Sequence, residues 1–256
     1  MGIGESVKKG FGAAKKSMSL VTLLFVFGFI FNLVTVFLGP KPPAPGAQPV
    51  PPSPILIVAG VLFIFLSIFL QAGSMGYIRE LIKTGSAKMS SFSASGGKYY
   101  VRLLLLGIVV SLIIGIFVLL AALGYTFLKE SMAPLGIAIA IFFGALGIYF
   151  VIMFFLSPYA AVVDEQGVGA SLKLSMKLVK KNILTLLGLS AVLIVIGFGI
   201  GLVLGALMAG LTYLVKQETA SQVVFAFFSS AVNAYLGIVV TAAFMNFYLS
   251  LTNRNA

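Results

Sequence analysis

Six stretches of this chain contain no aspartate, glutamate, lysine or arginine: 17–40, 42–78, 103–128, 131–163, 182–215 and 219–253. About 20 apolar residues in a helix cross the hydrocarbon core of a bilayer, and each stretch is long enough to do so. The residues are 60% hydrophobic and 9% charged, against roughly 25% charged in a soluble domain. No water-soluble fold of 256 residues hides so much apolar surface. The apolar runs are continuous and do not alternate in short units, which excludes a transmembrane β-barrel.

The expected fold is all-α: one polytopic domain over 1–256, with spans at about 19–38, 55–77, 103–124, 134–163, 183–214 and 223–252. Between the first two spans, eight of the ten prolines crowd into a loop at 39–54, read as a stiff polyproline spacer. Short amphipathic segments at about 5–16, 78–100 and 169–181 read as interfacial helices.

Lysine and arginine set the orientation. Fourteen of the 17 fall at the N-terminus, the second–third connection, the fourth–fifth connection and Arg254. The opposite face holds Lys41, Lys129 and Lys216. Both termini are therefore expected in the cytoplasm, with the protein in the cell membrane. The basic surface calls for anionic headgroups as partner, through Lys8, Lys15, Lys16, Lys173, Lys177, Lys180 and Lys181. Nucleic acid is not expected, because topology alone puts the charge there.

Shifting the sequence by 165 lays Ser6, Lys8, Lys15 and Lys16 over Ser171, Lys173, Lys180 and Lys181. The apolar positions Val7, Phe11, Ala14 and Met18 meet Leu172, Met176, Val179 and Ile183, one helical face in each copy. Segment 78–100 is a poorer third copy. The working architecture is thus three units, each an interfacial helix followed by a helical hairpin. Residues 170–178 also alternate with period two, but the lysine stripe favours helix.

The fifth span carries Gly197, Gly201, Gly205 and Ala209 at a spacing of four. Such a stripe lets another backbone approach closely, and packing inside the bundle is the first expectation. A homo-oligomer seam, a membrane-protein partner or a lipid groove are the alternatives. At depth the polar residues include Asn32, Gln71, Asn233 and Asn246, expected to face the bundle or a cavity. Pro158 should kink the fourth span, and Asp164 and Glu165 read as helix caps paired with nearby lysines.

Cysteine and histidine are absent, and the spans contain no acid or base. Thiol chemistry, imidazole bases and buried proton relays are excluded, so neither catalytic residues nor a cofactor or metal is expected.

The run Ser157-Pro158-Tyr159, then Asp164-Glu165, Ala170-Ser171-Leu172, Ser175 and Lys180-Lys181-Asn182, resembles a recurring six-span prokaryotic membrane family. Gly76-Tyr77-Ile78-Arg79 followed by Gly85 resembles its second–third connection. The family includes the membrane domain attached to some glycerophosphoryl diester phosphodiesterases. The resemblance implies six spans and transfers no catalytic residue, since that enzyme's chemistry lies in a separate soluble domain. The functional expectation is a non-enzymatic scaffold or transport-associated component. A transporter or channel for a small neutral or lipidic solute is the alternative, and a membrane-embedded enzyme a remote third.

Cysteines introduced singly at Gln48 and Ser95 test the orientation. An impermeant thiol reagent outside the cell should label Gln48→Cys and leave Ser95→Cys untouched; the reverse pattern overturns the topology.

Overall fold

A computed structural model describes residues 2–39, 51, 53–128, 132–214 and 217–252. The proline-rich loop expected at 39–54 falls largely outside them, as do Lys41, Lys129, Lys216 and Arg254. Eight helices follow in order: α1 (Ile3–Lys16), α2 (Met18–Leu38), α3 (Pro54–Thr84), α4 (Met89–Leu128), α5 (Ala133–Phe154), α6 (Ser157–Val163), α7 (Val168–Leu214) and α8 (Glu218–Leu251). Among the described residues there is no strand, and 170–178 is helical. Six helical segments are long and apolar enough to cross a membrane: α2, α3, α4, α5 with α6, α7 and α8. The chain is an all-α, multi-pass membrane protein.

Contacts divide the chain into two compact units, Met1–Gly97 with Leu187–Ala256, and Lys98–Leu186. In the first unit, α8 packs on α1, α2 and α3. Along most of their length the spans expose large apolar side chains such as Leu62, Leu119, Ile141, Ile194 and Phe198. Hydrocarbon suits these surfaces, and the helical backbone satisfies its own hydrogen bonds there. Burial concentrates near the C-terminal end of each hairpin's second helix. Every residue is buried at 72–78 in α3, at 159–163 in α6 and at 242–249 in α8.

An amphipathic helix causes that burial each time. Helix α1 lies on α8: a Cβ at Gly10 would stand 2.6 Å from the Val239 carbonyl oxygen. The start of α4 lies on α3, where a Cβ at Gly73 would be 2.6 Å from the Phe92 ring and one at Gly76 would collide with the Ser95 side chain. Gly96 completes this contact against the Phe69 ring. The start of α7 lies on the α5–α6 break through Ser175. Each amphipathic segment therefore sits on the hairpin of the unit before it, α8 serving as predecessor to α1.

The repeat also shows in local geometry. The helix breaks at Ser17 (φ −112°, ψ 35°) and, 165 residues later, at Asn182 (φ −132°, ψ 26°). Ser17 Oγ donates to the Ala13 carbonyl at 2.8 Å, and Asn182 Nδ2 to the Leu178 carbonyl at 2.9 Å. Residues 13 and 178 are themselves 165 apart. A polar side chain thus holds the last turn of the amphipathic helix before the long apolar helix begins, at both places.

Three expectations shift. The segment expected at 78–100 is two pieces: α3 continues to Thr84, and α4 begins at Met89. Gly85 ends α3 with φ 80° and donates its N–H to the Leu81 carbonyl at 2.9 Å, the left-handed cap that glycine favours. In the amphipathic start of α7, before the break at Asn182, the buried positions are Ser171, Ser175 and Val179, while Leu172 and Met176 are half-buried. The small serines fit closely where leucine and methionine do not. Third, Gly197 is half-buried and Gly201, Gly205 and Ala209 are exposed. Among the described residues, no atom lies within 4 Å of a Cβ built on any of those three glycines. Close approaches are made instead by Gly10, Gly73, Gly76 and Gly96, and by Gly124 and Gly188 against isoleucine side chains.

Gly76→Leu should therefore destabilise the protein in detergent by at least the ~1–3 kcal/mol typical of overpacking, whereas Gly201→Leu should melt like wild type. Thermal unfolding of the two variants side by side checks this. Ser95 faces Gly76, so the exposed Lys181 is the better position for a cysteine reporter on that face.

Candidate functional site

Two kinds of polar construction stand out, one in each unit. In the second unit, Pro158 has no N–H, which leaves the Phe154 carbonyl without its helical donor. Ser157 Oγ takes that place at 2.6 Å. One turn away, Ser175 Oγ accepts from the Leu156 N–H at 3.1 Å and donates to the Met153 carbonyl at 2.7 Å. A single hydroxyl from α7 thereby closes both loose ends of the break. Arg102 Nη1 caps the end of α6 at the Ala161 carbonyl, 2.9 Å away.

Glu165 turns the chain between α6 and α7 with φ 55°, a left-handed conformation uncommon outside glycine. Its Oε1 accepts from Lys98 Nζ at 2.8 Å and Tyr99 Oη at 2.9 Å. The Glu165 hydrogen bond, and secondly that of Tyr99, raises the Lys98 ammonium above the ordinary lysine value. This carboxylate is an anchor to α4, rather than the cap on α7 that its sequence position suggested. The cluster is structural, with every polar group on a backbone or side-chain partner.

In the first unit the polar residues are less completely matched. Between α2, α3 and α8 lies a cleft of about 330 Å³ bordered by Asn32, Ser230 and Asn233 with Phe31 and Phe63. Asn32 Nδ2 donates to Ser230 Oγ at 2.8 Å. Asn233 makes no side-chain hydrogen bond among the described residues and is exposed. A second cleft of about 250 Å³, sharing Leu24 with the first, is bordered by Ser67, Gln71, Ser74 and Thr241. Ser67 and Thr241 return their protons to helix carbonyls. Ser74 is 7% exposed, and its Oγ has no hydrogen-bond partner. Gln71 beside it is exposed and likewise unmatched among the described residues.

Ser230, Ala234, Gly237 and Thr241 occur at offsets 0, 4, 7 and 11, so one face of α8 borders both clefts. Of the four amides singled out by sequence, the structure groups Asn32 with Asn233 and puts Gln71 in the neighbouring cleft. Asn246 is buried elsewhere on α8, donating to the Ala242 carbonyl at 2.8 Å. Sequence reasoning missed Ser74 and Ser67. Both lie on the α3 face of Gln71 at spacings of three and four, which was the available signal. The lysines Lys8, Lys15, Lys16, Lys173, Lys177, Lys180 and Lys181 are all exposed.

Residues 1–251 match a family described as Domain of unknown function (DUF7847). No curated protein and no solved structure matches the chain.

Ser175→Ala should cost about 1–3 kcal/mol, because it strands a buried N–H and weakens the break. Ser175→Thr, which keeps the hydroxyl, should recover part of the loss. Unfolding temperatures of both variants in one detergent make the measurement.

Proposed function

This chain belongs to the DUF7847 family, and we propose that it is a non-enzymatic membrane protein that binds or passes a neutral, hydrogen-bonding amphiphile along α8. The observation that carries this reading is Ser74 with Gln71: two side chains within a span that lack hydrogen-bond partners and border a cleft. In hydrocarbon an unmatched polar group costs several kcal/mol, so an occupant that supplies donors and acceptors is strongly favoured there. The walls are apolar and include Leu24, Phe27, Leu70 and Ile238, which suits an occupant with an apolar body. No ionisable side chain lines either cleft, so the occupant's polar part is uncharged.

A scaffold, one of the two roles first expected from sequence, has no use for unmatched groups within a span. Transport-associated binding uses them directly. The likeness to the membrane domain of glycerophosphoryl diester phosphodiesterases fits a lipidic occupant and adds no catalytic group. The topology belongs to the same reading: both termini in the cytoplasm, with the fourteen-to-three basic asymmetry holding that face against anionic lipid. In this reading Gly197, Gly201 and Gly205 present a smooth surface to lipid or to a second copy.

The test combines Ser74→Ala with Gln71→Leu. Removing unmatched polar groups should leave the empty protein as stable as wild type or more stable, by up to about 1–3 kcal/mol. The same variant should lose whatever organic-soluble molecule co-purifies with wild type, read by solvent extraction and mass spectrometry. A destabilised variant with an unchanged extract means that these residues serve packing alone.

A further inference from the structure

A third hollow in the first unit does not belong to those clefts. It measures about 690 Å³ and lies where α1 crosses the C-terminal ends of α3 and α8. Lys9, Lys16 and Lys83 border it, with Gly12, Leu81 and Leu249 among its other walls. Among the described residues, no carboxylate lines it. Glu5 pairs with Lys9 from outside at 3.0 Å, a half-exposed contact between neighbouring turns of α1. That pairing holds the Glu5 carboxyl below its ordinary range, first through the Lys9 hydrogen bond and then through its charge. Lys16 and Lys83 remain as net positive charge facing one space from two helices. Helix C-termini favour cations, which explains Lys16 and Lys83 by themselves. It does not explain a cavity walled by all three.

We propose that this cleft is a specific site for the phosphate headgroup of an anionic lipid. The Lys16 and Lys83 ammonium groups, from α1 and α3, supply charge-assisted donors that a phosphate diester accepts, with Lys9 at the wall bonded also to Glu5. Leu81, Ile82 and Leu249 give the adjoining surface an apolar character suited to the glycerol and first acyl carbons. Gly12 keeps the floor open: nothing lies within 4 Å of a Cβ built there. The site differs from a diffuse basic surface because it selects one lipid molecule in one place. It is also independent of the α8 groove, since the Ser74 and Gln71 variants leave these lysines untouched.

Native mass spectrometry of the full chain in neutral detergent, with phosphatidylglycerol or phosphatidylcholine added, tests the assignment. Wild type should retain one phosphatidylglycerol and discriminate against phosphatidylcholine. Lys9→Gln/Lys16→Gln/Lys83→Gln should weaken retention at least about tenfold, as expected for losing charged hydrogen bonds. Lys173→Gln/Lys177→Gln/Lys180→Gln, which removes as much charge from the diffuse basic surface, should keep that one lipid and lose only salt-sensitive attraction to anionic vesicles. Gly12→Phe keeps every lysine and fills the cleft, so it should lose the lipid as well. Equal losses in the two lysine triples, or full retention by Gly12→Phe, would overturn the site. Glycerol phosphate binding as tightly as the lipid would identify a soluble phosphate ester as the occupant and overturn the lipid.

Discussion

The close seating of an amphipathic helix against the C-terminal third of a span is the contact from which the rest of the fold follows. Spans in lipid gain nothing from apolar contact alone, because the surrounding tails are equally apolar. What they gain is dense packing, and that requires small residues at the crossing. Gly10 against Val239, Gly73 and Gly76 against Phe92 and Ser95, and Ser175 against the α5–α6 break supply it three times. The fully buried segments at 72–78, 159–163 and 242–249 are the direct result. Elsewhere the helices keep apolar side chains outward, and the membrane holds them.

The three crossings are chemically different versions of one device. At α8 the contact is backbone against alanine and glycine. At α3 it is glycine under an aromatic ring and a serine. At α5–α6 the span is broken by Pro158, and the seated helix repairs it by hydrogen bonding. The last version ties the position of α7 to the integrity of the break. Glu165, gripped by Lys98 and Tyr99, holds the intervening turn in its strained conformation.

Much of the fold could be read from the order of residues. Charge-free runs mark the spans, Pro158 marks the break, and the Ser6 and Ser171 lysine patterns mark a repeat whose helix breaks coincide at Ser17 and Asn182. What sequence could not supply was the partner of each small or polar residue. A small residue every fourth position says that a neighbour can come close, not that one does, so Gly197, Gly201, Gly205 and Ala209 looked like the packing ridge. Asn32 and Ser230 are 198 residues apart, and Lys98 and Glu165 are 67 apart. Such pairs exist only once the helices have been placed. The serines at 171 and 175 hid in plain view, because a helical wheel ranks positions by hydrophobicity and these are buried for their size.

The breaks at Ser17 and Asn182 have a mechanical meaning. A continuous helix transmits a change of axis along its whole length, whereas a residue with non-helical dihedrals acts as a joint. Helices α2 and the long apolar part of α7 each meet their amphipathic helix through such a joint. A bilayer that thins or thickens asks its spans to change tilt. Here the first span of the first and third repeats leaves its amphipathic helix at a break in the helical dihedrals, so each pair is two rods joined at one residue and a change of axis has a place to fall without interrupting either rod.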